Sequence, residues 1–426
     1  MQIAVVGSGP AGLTAAYRLQ QAGHQVDVLE ALDVIGGRTR AVHFGPGHHC
    51  DTGAGWLASF YTHTLSLFDE LGIRDTMLRP RQVRGAADLL IDGALHPWPL
   101  FADTVAASTL LTDHDKATFS EYIARLMETQ PDQLEVDLTA DDHDAEREFS
   151  QLGPRIMAYI MQSAFEGPFF TRLDTLSAAM VRSWLRALQN CRFFQLEAGM
   201  DAPWLQLARQ LNVQTGKRVE RVRLKSGQVE VVLDAASSRA YDGLILAVPA
   251  PAAAQIMQDR LDLAPTWLSD VRYAPQLRVY AARQTNEEAA FGVHVLPPTD
   301  IFSVEHYTGG YGAWGACPDD WQWGLVCSYG PASQPLLEQT EEAVTQTLWQ
   351  AGQQVAPSLF PLEQADIIHL IRWPWAVPIM GPGYYRRLAE HQHRPPIVFA
   401  GDWMCQACVE GAVRSGESAA AALQGS

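Results

Sequence analysis

Three glycines and one carboxylate set the first chemical expectation. Gly7, Gly9 and Gly12 stand at GxGxxG spacing in GSGPAG, and Glu30 follows Gly12 by eighteen residues. Gly7 permits a tight turn, Gly9 lets a pyrophosphate approach the backbone, and Gly12 lets a helix pack closely on a strand. Pro10 and Ala11 open that helix, whose free N–H groups attract phosphate. A carboxylate at Glu30 can accept both hydroxyls of an adenosine ribose, and it repels a 2'-phosphate. These residues indicate a dinucleotide without deciding between NAD and FAD. Cys405 and Cys408 form a CxxC that reads as a redox pair, as half a metal site without its other half, or as packing. No Ser, His, Asp constellation has positional support, so hydrolysis is a poor reading.

The surrounding elements place these groups. IAVVG is a β-branched apolar run suited to a sheet covered on both faces, and AGLTAAYRLQQAG is helical and ends at Gly23. HQVDVLE is the second strand, carrying Glu30 at its end. Near the other terminus, PPIVFAGDWM reads as a buried strand followed by Gly401 and Asp402, and CVEGAVRSGESAAAAL reads as a helix. A chain of 426 residues is long enough for two domains. Its formal charge of -17 argues against a nucleic-acid backbone as partner. No run is apolar enough to cross a bilayer and no basic leader precedes the first strand, so a cytoplasmic location is expected. Lys116, Lys217 and Lys225 are the only lysines.

With VIGGRTR at Val34 to Arg40 and HHCDTGAGWL after it, the chain resembles the flavin amine oxidase superfamily, which includes amine oxidases, protoporphyrinogen oxidases and carotenoid desaturases. The resemblance implies an α/β fold: a Rossmann-like, GR2-type FAD-binding domain with an inserted α+β substrate-binding domain. It also implies FAD as resident cofactor. Gly36, Gly37 and Arg38 match the segment along the pyrophosphate and ribityl chain; Asp51, Thr52 and Gly53 match the next element. Ala54, Gly55 and Trp56 then fall near the flavin ring, with Trp56 also facing substrate. Asp402 matches the ribityl and pyrophosphate contact, and Glu410, Gly411 and Ala412 match the helix start beside the ring. Val219 matches a backbone contact to adenine, and Pro249 ends a strand beside the dinucleotide.

This division makes the FAD domain discontinuous, over residues 1–85, 193–272 and 392–426. A helical insertion at 86–192 and a sheet and helix at 273–391 form the substrate domain. The acidic DLTADDHDAEREF run is expected to be a solvated turn and helix start, and no metal site is expected in the chain. The family's lysine that holds a water beside the flavin falls at or near Arg278, which is therefore the first catalytic candidate. Trp375 is the second, as part of the flavin-facing wall. Trp373, Tyr384 and Cys408 are expected to touch substrate, and Cys408 stands where many relatives carry a cage aromatic. His48 and His49 lie near the expected path of the ring. The function expected is hydride removal from a C–N or C–C bond of a small to medium organic molecule, with oxygen or another electron acceptor. A flavin-dependent isomerase or mutase and a non-catalytic flavin-binding scaffold are the alternatives. The oligomeric state is left open.

Overall fold

A computed structural model describes residues 1–80, 88–128, 134–189, 191–234, 237–296, 299–312 and 314–425. The expected boundary at 85/86 lies outside the described residues. One sheet has five parallel strands, in the order Asn212–Gln214, Gln25–Leu29, Gln2–Val6, Gly243–Leu246 and Ile397–Phe399. Three distant stretches of chain therefore build a single sheet. Ile3, Ala4 and Val5 are fully buried, as the unbroken apolar run requires. Helices Pro10–Gln21 and Val409–Gln424 cross on this sheet, where Gly416 permits their approach: a Cβ there would lie 2.3 Å from the Ala11 carbonyl oxygen.

The second sheet has nine strands and is mainly antiparallel. Tyr273–Gln284 lies between Gly315–Ser328 and Ile367–Pro378, with Arg278 opposite both Cys327 and Ile371. The pleat sorts its side chains. Leu277, Val279 and Ala281 join a core with Leu348 and Trp349 of helix Glu341–Val355, while Gln276 and Arg278 face the other way. Ala41–Gly45 and His48–Asp51 also belong to this sheet, through pairing of His48–Asp51 with Gly315–Ser328. So do Asp88–Ile91 and Ala94–His96. Chain segments thus cross between the nucleotide and substrate regions more often than five consecutive blocks suggest.

The helical region contains Asp113–Glu128, Ala178–Leu188 and a wide-turn π stretch, Met157–Glu166, that carries Ala164 and Phe165 to the cavity. The acidic run departs from expectation. Asp141 is fully buried and accepts from Ser177 Oγ and the Arg386 amide. Glu148, also buried, accepts from Tyr122 Oη and Arg182 Nε and contacts His143 Nε2 at 2.9 Å. These carboxylates hold the helical region together because their partners come from other elements; composition alone does not show that.

Candidate active site

A continuous cavity of about 770 Å³ runs between the two sheets. At one end the turn after Gln2–Val6 supplies Gly7, Gly9, Pro10 and Ala11 to the wall. Gly7 has φ +102°, and a Cβ there would meet the Ala247 carbonyl oxygen at 2.5 Å. Gly37, at φ +53°, lies so close that its Cβ would be 3.1 Å from Gly9 Cα. The two glycine motifs therefore form one cradle of bare backbone. Glu30 lines it, accepting from the Ser8 amide (2.9 Å) and hydroxyl (2.7 Å) through one oxygen and from the Leu32 amide (3.0 Å) through the other. Lys217, Arg218 and Val219 close this end, tied down by the Lys217 amide donating to the Glu30 carbonyl.

Arg38 stitches the middle of the cavity. Its Nη2 pairs with Asp402 at 2.8 Å and its Nη1 donates to the Ala376 carbonyl at 3.0 Å. Burial opposes the Arg38 charge, but Asp402 and Tyr273 leave its pKa above the ordinary guanidinium value. Arg40 sits over the Trp373 ring, and its Nε is buried without a partner; burial lowers its pKa. Pro249 and Gly401 line the same region. Gly53 does too, and has no room for a side chain, since a Cβ would lie 1.8 Å from the Arg38 carbonyl oxygen.

Beyond Ala54 and Gly55 the wall becomes aromatic. Trp56 meets Phe193 edge-on at 4.7 Å, and Phe169 meets Trp184 edge-on at 5.2 Å. Arg278 crosses between the two ends. It is buried, donates through Nη1 to the Gly53 carbonyl (3.0 Å), and stacks over Trp314 at 3.8 Å. Burial lowers its pKa, but a guanidinium remains a cation. The start of helix Val409–Gln424 reaches this region through Cys408, Val409 and Ala412.

The flavin containing amine oxidoreductase family model matches residues 10–424. The chain belongs to this family. The family is one of flavin-containing oxidoreductases. It is 42% identical over 96 residues to a putrescine oxidase of Kocuria rosea, a segment covering 22% of this chain and 20% of that protein. It is 39% identical over 77 residues to a 15-cis-phytoene desaturase of Narcissus pseudonarcissus, covering 18% and 14%. The chain thus spans only about a fifth or less of these curated relatives. Among solved structures, a putrescine oxidase double mutant superposes with a TM-score of 0.77 at 19% identity, over all of both chains. That likeness is one of fold.

The residues present fit FAD. A bare-backbone cradle at a helix start suits a pyrophosphate, and the unpartnered Arg40 Nε offers a further donor on the same wall. Glu30 suits the ribose. Of the residues expected from sequence, Gly7, Gly9, Pro10, Ala11, Glu30, Gly37, Arg38, Gly53, Ala54, Gly55, Trp56, Val219, Pro249, Arg278, Trp373, Trp375, Gly401, Asp402, Cys408 and Ala412 all line this cavity.

Gly36, Asp51 and Thr52 do not, although their neighbours Gly37 and Gly53 do, and neither do Gly12, Gly411, Glu410 and Tyr384, each of which has another physical role. A Cβ on Gly12 would lie 2.0 Å from the Gly7 carbonyl oxygen, so this glycine serves the packing of helix on turn. A Cβ on Gly411 would lie 2.0 Å from the Gln406 carbonyl oxygen. Glu410 is buried and accepts from the His63 amide (2.9 Å), the Thr64 amide (2.9 Å) and Thr64 Oγ1 (2.7 Å), fastening the start of helix Thr62–Glu70. Tyr384 is a core residue rather than a substrate contact: it packs on Trp267 and donates to the Trp403 carbonyl at 2.7 Å. His48 and His49 are buried in the second sheet, with His48 Nε2 2.8 Å from Tyr280 Oη. Cys405 and Cys408 are both free, and burial raises both thiol pKa values. Sequence reasoning missed Gln276, Trp314 and the helical-region aromatics. Alternation along the strand with Arg278 signalled Gln276; no local pattern signalled the others.

Proposed function

We propose that the protein removes a hydride from a C–N or C–C bond of a flat, largely apolar organic molecule of small to medium size, passing the electrons to oxygen or another acceptor. One observation carries this reading: among the described residues, the carboxylates lining the cavity are Glu30, Glu220 and Asp402, all at its nucleotide end. No lining carboxylate is available in the aromatic end to neutralise an ammonium or diammonium substrate. Trp56, Phe169, Trp184 and Phe193 instead offer faces and edges to a flat ring.

Bound FAD supplies the hydride acceptor. The chain's residues supply the rest. The aromatic walls exclude water and hold the reacting C–H bond in place. The N-terminal end of helix Val409–Gln424 favours negative charge developing at its end of the cavity. Trp375, 38% exposed, stands at the rim beside the partly buried Trp373, whose Nε1 donates to the Thr52 carbonyl at 2.6 Å. No lysine lines the aromatic end, since Lys217 lies beside Val219 and Lys116 donates to the Ala106 carbonyl. A lysine-held water therefore has no counterpart here, and Arg278 occupies the corresponding strand as a fixed cation.

Anaerobic mixing of the holoprotein with a panel of cyclic, aromatic and aliphatic candidates tests this. Loss of the oxidised-flavin absorbance is expected with flat apolar compounds and not with aliphatic diamines. Rapid bleaching by putrescine, or activity confined to chemically prereduced protein, overturns the reading.

A further inference from the structure

Among the described residues, His294 brings the one imidazole to the cavity wall. It lies on strand Ala290–Val295, and the sheet fixes where it faces. Arg278 stands opposite Cys327, Cys327 opposite Ser303, and Ser303 opposite His294, so the four share one face across four neighbouring strands. Val293 turns the other way, into the core with Leu348 and Trp349. Three strand spacings put His294 about 14 Å from Arg278 along the sheet. It lies on the far side of Arg278 from strand Ile367–Pro378, whose Ala376 meets Arg38 in the nucleotide end. Phe302 lies against the His294 ring, with centroids 4.5 Å apart and planes tilted by 35°, and Trp98 meets it edge-on at 5.2 Å. Nδ1 is buried in this wall, while the residue as a whole is partly exposed and lines the cavity. A strand side chain stands roughly perpendicular to its sheet, so a ligand meets the ring edge farthest from the backbone, which carries Nε2.

Resting on the proposed oxidation, we infer that the substrate is phenolic: its ring carries a hydroxyl on the edge remote from the nucleotide end, and His294 Nε2 binds that hydroxyl. A phenolic O–H donates to a bare ring nitrogen and its oxygen accepts from a protonated one, so it suits either imidazole tautomer; an ether suits only one, and a hydrocarbon edge neither. Polar neighbours in the same wall are committed elsewhere. Trp98 Nε1 donates to Ser163 Oγ at 2.7 Å, and the Tyr61 hydroxyl is turned to the Cys408 sulfur. The imidazole is also held in place before a ligand arrives, because Phe302 packs on it and is itself seated against Gly167, where a Cβ would lie 1.8 Å from the Phe302 ring. His294 is then a specificity residue. It selects hydroxylated over plain rings and fixes which end of the molecule enters first, leaving the other end toward the junction at Arg278.

The test is binding, read from perturbation of the flavin absorption of the oxidised holoprotein, so it does not depend on turnover. Three ligands share one frame: 4-propylphenol, 4-propylanisole and propylbenzene. The phenol is expected to bind at least about fivefold more tightly than either of the others. His294→Phe keeps a ring between Phe302 and Trp98 but carries no nitrogen, so it should abolish this preference while leaving propylbenzene binding within about threefold. If that variant loses its flavin, diethyl pyrocarbonate on the wild-type holoprotein carries the test: carbethoxylation of His294, located by mass spectrometry, should remove the preference for the phenol. Wild-type protein that binds the three ligands alike overturns the inference. So does a preference that survives in His294→Phe or after modification, and so does a His294 that the reagent fails to reach. Phenol preference without reduction by any phenol leaves the anchor standing and refutes the oxidation reading alone. Reduction by flat compounds, with no advantage in binding for a hydroxyl, refutes the anchor alone.

Discussion

Gly53→Ala is the sharpest test of how the two ends of the cavity are joined. The new Cβ would sit 1.8 Å from the Arg38 carbonyl oxygen, where ordinary contact begins at 3.4 Å. The backbone must therefore open by 1.6 Å, the difference between these distances. Two hydrogen bonds are at stake, the Ala54 amide to the Arg38 carbonyl (3.0 Å) and Arg278 Nη1 to the Gly53 carbonyl (3.0 Å). Overpacking against rigid backbone costs about 1–3 kcal/mol, and each lost hydrogen bond adds about 1 kcal/mol. Together these predict destabilisation of about 3–5 kcal/mol, and at least about tenfold weaker FAD retention. Gly72→Ala is the control, because Gly72 has φ +66° and a methyl added there would meet nothing within 4 Å; it should cost about 1 kcal/mol through backbone strain alone. Urea unfolding of the apoprotein and flavin titration measure both quantities. Should Gly53→Ala match Gly72→Ala in stability and bind FAD with unchanged affinity, the rigid Arg38–Gly53 contact is refuted.

Two further substitutions separate packing from chemistry. Glu410→Gln replaces one acceptor oxygen with a donor among three buried donors, so it should destabilise by about 2 kcal/mol while leaving the KM of any substrate unchanged; a KM shift at full stability would restore Glu410 to the reacting site. His49 is 4% exposed, and burial, then His43 and His48, depress its pKa from 6.5 to about 4. The unfolded chain therefore takes up this proton first, and the contribution of neutral His49 to stability is full above pH 6.5 and lost as pH falls toward 4. At pH 5 the loss amounts to about 2 kcal/mol. His49→Leu should remove most of that part of the decline in urea stability between pH 7 and pH 5; parallel declines in both proteins would count against it.

The nucleotide end was legible because its requirements are local. A turn that demands φ +102° at Gly7, and a strand that ends in Glu30, are written within thirty residues. GGRTR and GDW extended the reading because Gly37, Arg38, Gly401 and Asp402 line the same cavity as the glycine turn. Glu410 and Tyr384 were misread for the opposite reason. Both stand at helix starts, and Glu410 lies between the cavity-lining Val409 and Ala412, yet their side chains turn toward Trp403 in the case of Tyr384 and Thr64 in that of Glu410. Proximity along a helix does not specify the face.

The amino-acid sequence by itself determined the cofactor class, the strand–turn–helix that receives it, and the absence of a lysine from the second sheet, since these depend on residue types at short spacing. The tertiary structure alone decided what the other end of the cavity offers a substrate. Trp56, Phe169, Trp184, Phe193 and Trp314 come from stretches far apart in the chain, and only packing makes them one wall. The same packing buries Arg278 and Gln276 side by side with bonds unmade. Whether a polar side chain is satisfied depends on everything folded around it, and no local spacing records that.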